Sequence, residues 1–320
     1  HDNVVNMRSE RVPITCRALT KRFDGPPVVD DVSFDVRAGT ITGVVGANGA
    51  GKTTTMRMVL GLVAPTSGEA LVNGRRYRDL EHPRRTVGAV LDGPGAHPGH
   101  TARAHLGIIA TAAGIPQRRV AEVLELVSLA EHARRRVGGF STGMRQRLGL
   151  AAALLGDPEI LILDEPANGL DPPGIIWMRN LLRQLAGEGR AVLVSSHLLA
   201  ELAEVAQRVL IIDRGRLVAD TTLEALLNGG RRIVELRCAD PSAATGALRA
   251  RGATVERDDE VLVIEGLSPQ EAGEVAAAAG AGPVHWLSER TTRLEDVYVE
   301  LAGSLTQPAR ARPPSSRERR

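Results

Sequence analysis

One short segment constrains the fold of this 320-residue chain more than any other part of its sequence. It fits the phosphate-loop pattern G-x-x-x-x-G-K-[ST] at every position. The segment consists of Gly46, Ala47, Asn48, Gly49, Ala50, Gly51, Lys52, Thr53 and Thr54. Residues 41–45 before it are apolar and β-branched enough for a buried strand, and residues 53–62 after it can form a helix. The segment therefore predicts the strand, loop and helix of a nucleoside triphosphate site.

The residue types in this loop suit the binding of phosphate. Glycines allow the backbone to turn its N–H groups toward one point, and the following helix directs its positive end there. Lys52 can bring a mobile positive charge to the β- and γ-phosphates, and the Thr53 hydroxyl can hold Mg²⁺. Lys52 and Lys21 are the only lysines of an arginine-rich chain. A glycine-rich turn that merely caps a core helix is the less favoured alternative, because the flanking strand and helix are those a nucleotide site requires.

Length and composition indicate a globular protein with two domains. Hydrophobic residues make up 43% and charged residues 24% of the chain. The longest apolar runs, such as residues 148–155, fall far short of the roughly 18 residues that a membrane span needs, so we expect a soluble chain. Cys16 and Cys238 lie far apart without metal-binding spacing, which favours a reduced cytosolic protein. Residues 306–320 carry five Arg against one Glu and form a basic tail.

Two acids follow a predicted buried strand at residues 160–163. Ligands bind at the carboxyl ends of strands in open α/β sheets, so Asp164 and Glu165 should lie beside the phosphate loop. Asp164 can then hold Mg²⁺, and Glu165 can polarise an attacking water. His197 follows another predicted strand, residues 191–195, on the same side of the sheet. A lone histidine in this position is as often structural as functional.

Two further residues, Phe23 and Ser141, can be given a functional role only if a nucleotide site is present. Phe23, one of three phenylalanines, precedes a Gly-Pro turn. Its ring can either stack on an adenine or pack in the core, and the sequence alone does not favour one alternative over the other. Ser141 is a natural N-cap for a helix that runs through residue 155. The N–H groups at that helix start could meet an anion, although a simple helix cap is favoured when the segment is considered alone.

Together these motifs resemble the nucleotide-binding subunits of ATP-binding-cassette (ABC) transporters over residues 12–225. The resemblance implies that Phe23 stacks on adenine and that His197 senses the γ-phosphate. It also implies that two subunits pair head to tail, with Asp171 in the loop that crosses the dimer. The signature that would complete the partner's phosphate loop is formed by Ser141, Thr142, Gly143 and Met144. The family usually has Leu-Ser-Gly-Gly-Gln here, and Thr142 and Met144 depart from it.

Asp92 is a second departure from the common pattern. Most family members have a glutamine at the end of the strand before the helical layer, whereas a carboxylate is similar to the bacitracin-export-like and related multidrug-export subfamily. The resemblance therefore implies export, with Asp92 joining Thr53 and Asp164 around Mg²⁺. The alternative is that Asp92 only caps the turn made by the Gly-Pro pair that follows it.

The predicted fold class is α/β. We expect a P-loop NTPase cassette at residues 12–225, with a RecA-like core, an antiparallel β layer and a helical subdomain at about residues 93–156. Residues 226–305 alternate as β-α-β-β-α-β, which predicts a small ferredoxin-like α+β domain. Residues 294–301 resemble the closing helix of exporter-type members that carry such an extension. Residues 1–11, a disordered N-terminus or tag remnant, and the tail at 306–320 are expected to be disordered.

The expected function is that of an ATPase subunit that uses ATP and Mg²⁺ and drives a separate integral-membrane permease. We expect a homodimer or paired cassette in the ATP state, a location on the inner face of the cell membrane, and no nucleic-acid partner. One alternative is a soluble cassette ATPase that acts on ribosomes or DNA, which the single cassette and the lack of a long coiled-coil insertion disfavour. The other is a binding module with dead catalytic residues, which the residues at the site disfavour: Lys52, Asp164, Glu165 and His197.

Overall fold

The computed structural model describes residues 11–91, 95–228 and 232–291. The chain divides into two compact units, His1–Leu223 and Glu224–Arg320. The expected domain boundary after residue 225 falls inside a short helix, Leu223–Asn228. The segments at 1–10 and 306–320 and the helix predicted at 294–301 lie outside the described residues.

The first unit contains two sheets. Its strands in chain order are β1 (Ile14–Lys21), β2 (Val29–Val36), β3 (Ile41–Val45), β4 (Ser67–Val72), β5 (Val87–Val90), β6 (Ile160–Leu163), β7 (Ala191–Ser196), β8 (Arg208–Asp213) and β9 (Arg216–Thr222). The smaller sheet is antiparallel, with the order β2-β1-β4. The larger sheet has the order β5-β6-β7-β3-β8-β9, in which only β9 runs antiparallel to its neighbour. This architecture confirms the predicted α/β cassette with an antiparallel layer.

Helices cover and interrupt these sheets. In chain order they are α1 (Lys52–Val59), α2 (Pro83–Thr86), α3 (Ala102–Ala112), α4 (Arg118–Leu126), α5 (Thr142–Leu154), α6 (Pro172–Gly187), α7 (Leu199–Ala203) and α8 (Leu223–Asn228). The helical layer lies between β5 and β6 in the chain, as predicted. Its α4 has a buried face formed by the predicted residues Val120, Val123, Leu124 and, just past the helix end, Val127.

The helix after the phosphate loop is shorter than predicted. We expected residues 53–62, but α1 ends at Val59. Gly61 adopts a left-handed conformation with φ of 65°, and the N–H of Leu62 bonds back to the carbonyl of Arg57 at 2.9 Å. A left-handed glycine with such a returning hydrogen bond is a common way for a helix to end. As a result, Leu62 projects from the fold and is 66% exposed.

The centre of the larger sheet is apolar and inaccessible to solvent. Every residue of β3, β6 and β7 is buried, as expected for parallel strands covered on both faces. Because β6, β7 and β3 are neighbours, their carboxyl ends open at one edge of the sheet. The segments that follow these three strands are therefore brought together, although they are far apart in the chain.

Within the described residues 232–291, the second unit is a four-stranded antiparallel sheet with two helices. It contains β10 (Arg232–Cys238), α9 (Pro241–Ala250), β11 (Thr254–Asp258), β12 (Val261–Glu265), α10 (Pro269–Ala278) and β13 (Val284–Thr291). The strand order is β11-β12-β10-β13, and every neighbouring pair is antiparallel. This is the β-α-β-β-α-β order expected from the sequence. A capping box between Ser268 and Glu271 fixes the start of α10.

Candidate functional site

The phosphate loop connects β3 to α1, and two of its glycines have no room for a side chain. A Cβ atom on Gly46 would lie 2.3 Å from the carbonyl oxygen of Ile212. Gly51 has φ of 107°, and its Cβ would lie 2.7 Å from the carbonyl oxygen of Val28. These close approaches let the backbone turn tightly into Lys52, the first residue of α1. The first-turn N–H groups of a helix have no partner within it, so they are suited to an anion at this loop.

Lys52 lies inside the loop and is only 6% exposed. Its Nζ donates to the carbonyl oxygens of Gly46 at 2.7 Å and Ala47 at 3.4 Å. It also lies 3.3 Å from Oε1 of Glu165. A buried ammonium group needs such partners because desolvation of an unpaired charge is costly. The arrangement holds a positive charge next to the acid that sequence analysis assigned to hydrolysis.

Thr53 and Asp164 are in direct contact. The Thr53 hydroxyl donates to Oδ2 of Asp164 at 2.5 Å, and the Ser195 hydroxyl donates to Oδ1 at 2.5 Å. Hydroxyl and carboxylate oxygens are the donors that Mg²⁺ prefers, and it usually takes one or two carboxylates together with substrate phosphates. The described residues contain no group of three or more His, Cys, Asp or Glu side chains that could hold a metal ion. The Thr53 and Asp164 pair therefore fits a sparsely liganded Mg²⁺ rather than a metal enclosed by protein.

Glu165 directly follows this pair and has an unusual backbone. Its φ is 47°, a left-handed conformation that costs a residue other than glycine about 1–3 kcal/mol and that clusters at functional sites. Its Oε2 lies 2.8 Å from Nδ1 of His197, while Oε1 faces Lys52. Oε1 is buried and has no hydrogen-bond partner within the described residues. The carboxylate is thus fixed between an ammonium and an imidazole, with one oxygen left to accept a proton.

The structure brings together five of the predicted site residues, which are Lys52, Thr53, Asp164, Glu165 and His197. They come from the segments that follow three neighbouring strands, as the sheet order requires. Their roles in binding and hydrolysis remain predictions. Asp92 lies outside the described residues, so its predicted contact with Mg²⁺ also stays a prediction.

Phe23 lies on the surface. Its side chain is 58% exposed, and the ammonium of Lys21 lies 4.8 Å from the centre of its ring. The alternative that Phe23 is a packed core residue is therefore wrong. An exposed aromatic face upstream of the phosphate loop is what stacking on a base would need, so the adenine role stays open as a prediction.

The predicted signature begins α5, and Ser141 is its N-cap. The Ser141 hydroxyl accepts a hydrogen bond from the N–H of Met144 at 3.2 Å, which confirms the expected cap. Asp171 caps α6 in the same way, accepting from the N–H of Gly174 at 3.0 Å. Gln146 donates from Nε2 to the carbonyl oxygen of Asn168 at 3.1 Å. The first turns of the signature helix are therefore tied to Asn168, three residues before Asp171 of the predicted dimer loop.

Ser195 belongs to none of the predicted motifs, yet its hydroxyl group lies at the centre of the site. Besides donating to Asp164, its hydroxyl accepts a hydrogen bond from the N–H of Glu165 at 2.8 Å. The side chain is 1% exposed. The signal that could have revealed it is a serine directly after four apolar residues of a strand expected to be buried, because buried hydroxyls are almost always hydrogen-bonded.

A phosphate loop, an Asp-Glu pair and a histidine at the ends of three adjacent strands define a P-loop ATPase cassette. A family model described as ABC transporter matches residues 29–168. A second model, described as a domain of unknown function (DUF8746), matches residues 232–295.

Individual relatives and solved structures agree with this class. The chain is 37% identical to "Bacitracin transport ATP-binding protein BcrA" of Bacillus licheniformis over 90% of this chain and 96% of that protein. It is 34% identical to "Nod factor export ATP-binding protein I" of Burkholderia orbicola (strain AU 1054), over 91% and 97%. A solved structure titled "Structure of ATP binding subunit of ABC transporter" superposes with a TM-score of 0.62 at 28% identity, over 68% of this chain and 93% of that one.

The cassette MJ0796, solved as a dimer in a post-hydrolysis state with ADP and Pi, shares the fold. Its TM-score is 0.60 at 22% identity, over 66% of this chain and 98% of that chain. Taken with the relatives, these findings place the protein in its family. The chain belongs to the ATP-binding subunits of ABC transporters and is an ATPase.

Proposed function

We propose that the chain powers an exporter by coupling ATP binding, pairing of two subunits and hydrolysis to the motion of a separate membrane permease. The observation that carries the proposal is the Glu165 carboxylate, which is held between Lys52 and His197 beside the Thr53 and Asp164 pair. A base, a phosphate-binding cation and oxygen donors for Mg²⁺ are thus within one site. These are the groups that phosphoryl transfer to water requires.

Binding of ATP would rest on the loop and its lysine. Lys52 would exchange its contacts with the Gly46 and Ala47 carbonyls for the phosphates, and the start of α1 would add N–H donors. Phe23 would stack on the adenine. Thr53 and Asp164, with Asp92, would hold Mg²⁺, which when bound neutralises charge on the phosphate oxygens.

Hydrolysis would depend on Glu165 and His197. Glu165 would accept a proton from the attacking water at a carboxylate oxygen, since this side chain is the one acid next to both the loop lysine and the histidine. His197 would hold that carboxylate through Nδ1 and contact the γ-phosphate with the rest of its ring, which is 39% exposed. The base would thereby be oriented before the water reaches it.

Pairing of two subunits would complete the site. The signature residues of one subunit, Ser141, Thr142, Gly143 and Met144, would meet the phosphates bound by the other, and Asp171 would lie at the crossing loop. The hydrogen bond from Gln146 to Asn168 supports a signature that moves as one piece with this loop. A dimeric cassette of the same fold gives further support.

Export and a permease partner are supported by the relatives, whose names describe bacitracin transport and Nod factor export. None of the helices in the described ranges is long and apolar enough to cross a membrane. From the names of the relatives, we assign the membrane passage to another chain and this chain to the inner face of the membrane. The relatives named above favour an exporter over the alternative of an ATPase that acts on ribosomes or DNA, because their names describe transport and export.

A groove on the first unit suits a permease segment. It has a volume of about 310 Å³, and its lining is mostly apolar, with residues just after α1, from β5 and from the helical layer, including Leu62, Leu91, Ile109 and Ile115. Arg84 of α2 also lines it. Leu62 is 66% exposed, and exposed apolar surface around a concave site is typical of a protein contact. The groove extends along β5 to Leu91, the residue just after that strand.

We expect Leu62→Glu to detach the chain from its permease without stopping its own ATPase activity. A charge placed in an apolar groove would have to be buried on docking, which is unfavourable by several kcal/mol. The measurement is isolation of the tagged chain from detergent-solubilised membranes of its source cells, with mass spectrometry of the retained multi-span proteins. The wild-type chain should retain one such protein, and the variant should retain at least ~10-fold less of it.

Leu126→Glu is the matched control for the groove variant. Leu126 ends α4 and is 36% exposed, and it does not line the groove. Equal retention by both variants would argue against the groove as the docking surface. Absence of any multi-span membrane protein with the wild-type chain would contradict the permease assignment itself.

Removal of all residues after Leu226 should leave ATP binding unchanged within ~3-fold, because the assigned ligands lie in the first unit and separate domains fold as units. The cut follows β9, the last strand of the larger sheet. The measurement is ATP titration of the truncated protein. Deletion of 306–320 alone is the control for loss of the tail. A truncated chain that is folded by circular dichroism yet does not bind ATP would show that the two-domain division is wrong.

A further inference from the structure

Ser195 joins the two acids of the site through a single hydroxyl group. It lies on β7, whose Val194 pairs with Leu163 of β6, so it stands level with the first residue after β6. Its Oγ donates to Oδ1 of Asp164 at 2.5 Å and accepts from the backbone N–H of Glu165 at 2.8 Å. A serine hydroxyl has one proton to donate, and here that proton is committed to Asp164.

The first of these bonds fixes the Asp164 carboxylate. Its Oδ1 receives the Ser195 hydroxyl, and its Oδ2 receives the hydroxyl of Thr53 from the phosphate loop. Because one hydroxyl comes from β7 and the other from α1, the plane of the carboxylate is set from two sides. Without Ser195, the carboxylate could rotate about its bond to Cβ and would keep only the contact with Thr53.

The second bond supports the strained residue next in the chain. Glu165 has a left-handed backbone with φ of 47°, and its N–H points to Ser195. Strained residues persist only where their surroundings over-determine them. The bond to Ser195 is therefore one of the contacts that direct the Glu165 side chain toward Lys52 and His197.

We propose that Ser195 is a positioning residue for ATP hydrolysis, which orients the Asp164 carboxylate and the Glu165 backbone while it contacts neither substrate nor water. The proposal rests on the roles given above to these two acids. This role differs from that of a residue that only packs in the core, because it depends on the hydroxyl group of Ser195 and not on the volume of its side chain. Hydrogen bonds to charged groups are the stronger class, so their loss should be measurable in the chemical step.

Ser195→Ala should lower kcat for ATP by about 10- to 100-fold and leave the dissociation constant for ATP within ~3-fold of the wild-type value, since the phosphate loop is intact. Ser195→Thr, which restores the hydroxyl, should recover most of the lost kcat. Thr42→Val is the matched control, because Thr42 is a fully buried residue of the neighbouring β3 whose hydroxyl has no hydrogen-bond partner in the described part of the chain. Thermal unfolding shows whether each variant is folded. If Ser195→Ala is not folded, Ser195→Cys takes its place, because a thiol has a similar volume but forms only weak hydrogen bonds.

A double-mutant cycle separates this inference from the proposed function. The part of the Ser195 effect that passes through Glu165 should vanish in a Glu165→Gln background, so Ser195→Ala should lower the residual activity of that variant by clearly less than its effect alone. A further loss as large as the effect alone would contradict the role toward Glu165 and leave only that toward Asp164. A folded Ser195→Ala or Ser195→Cys variant with kcat within ~2-fold of wild type, beside a strongly impaired Glu165→Gln variant, would overturn the role of Ser195 only. Normal turnover in Glu165→Gln would instead overturn the role of Glu165, and with it this inference.

Discussion

Replacement of Glu165 by glutamine is expected to slow ATP hydrolysis at least ~10²-fold while ATP binding persists, because general-base catalysis typically contributes 10²- to 10⁴-fold. The amide has the shape of the carboxylate but cannot accept the proton of the attacking water at neutral pH. Lys52, which lies 3.3 Å from Oε1, loses a charged neighbour but keeps the carbonyl oxygens of Gly46 and Ala47. Binding of phosphate should therefore survive.

The same variant should accumulate as an ATP-bound dimer. Hydrolysis is the step that would separate the subunits, so its loss should leave them paired. Turnover by phosphate release and size-exclusion chromatography with and without ATP are the two measurements. Glu159→Gln is the matched control. Glu159 lies just before β6, whereas Glu165 lies just after it, and the Glu159 side chain forms an exposed ion pair with Arg11. Near-normal turnover together with a monomeric elution volume in ATP would refute the assignment of Glu165.

Replacement of Lys52 by alanine is expected to raise the dissociation constant for ATP by about 10- to 150-fold, the equivalent of a charge-assisted hydrogen bond worth ~1.5–3 kcal/mol. Lys52 is 6% exposed, so water cannot take its place at the phosphates as it could on an open surface. The change also leaves Oε1 of Glu165 buried without its cation. Hydrolysis should fall with binding for this reason as well.

Titration of ATP at equilibrium is the measurement for this variant. Lys52→Met keeps an unbranched side chain without the charge, and it should lose affinity to a similar degree if charge is the cause. Lys52→Arg should not restore full affinity, because a planar guanidinium does not fit a position shaped for a slim ammonium. An alanine variant that is folded and binds ATP with the wild-type constant would remove Lys52 from the site.

Local features of the site could be predicted from the sequence because they depend on short-range rules. The phosphate loop has a fixed spacing, the serine at 141 caps a helix whatever surrounds it, and the acids follow an apolar strand that could only be buried. The position of the two acids beside the phosphate loop could be predicted because ligands bind at the carboxyl ends of parallel strands. For the same reason the fold class was confirmed in outline.

Long-range features could not be predicted in the same way. No local pattern says that β3 lies between β7 and β8, which is a matter of pairing between distant segments. The contact of Ser195 with both acids follows from that pairing, so its role was missed. The left-handed conformation of Glu165 was also missed, because glutamate has no preference for positive φ and only the surrounding contacts impose it. The early end of α1 was the one local error, caused by the glycine at position 61.

The strand order also has a consequence for synthesis of the chain. β3 pairs with β7 and β8, and β5 pairs with β6, so neither early strand has a neighbour within the larger sheet until much later parts of the chain exist. A nascent chain that has emerged only as far as the helical layer carries a complete phosphate loop on a strand whose two edges are still unpaired. Such strands are prone to aggregate, and non-local pairing is slow to form. The predicted ATP site is complete only after β6 and β7 have joined, since the acids and the histidine follow these two strands. We therefore expect the nucleotide to add its full stabilisation only late in synthesis, after most of the first unit has emerged.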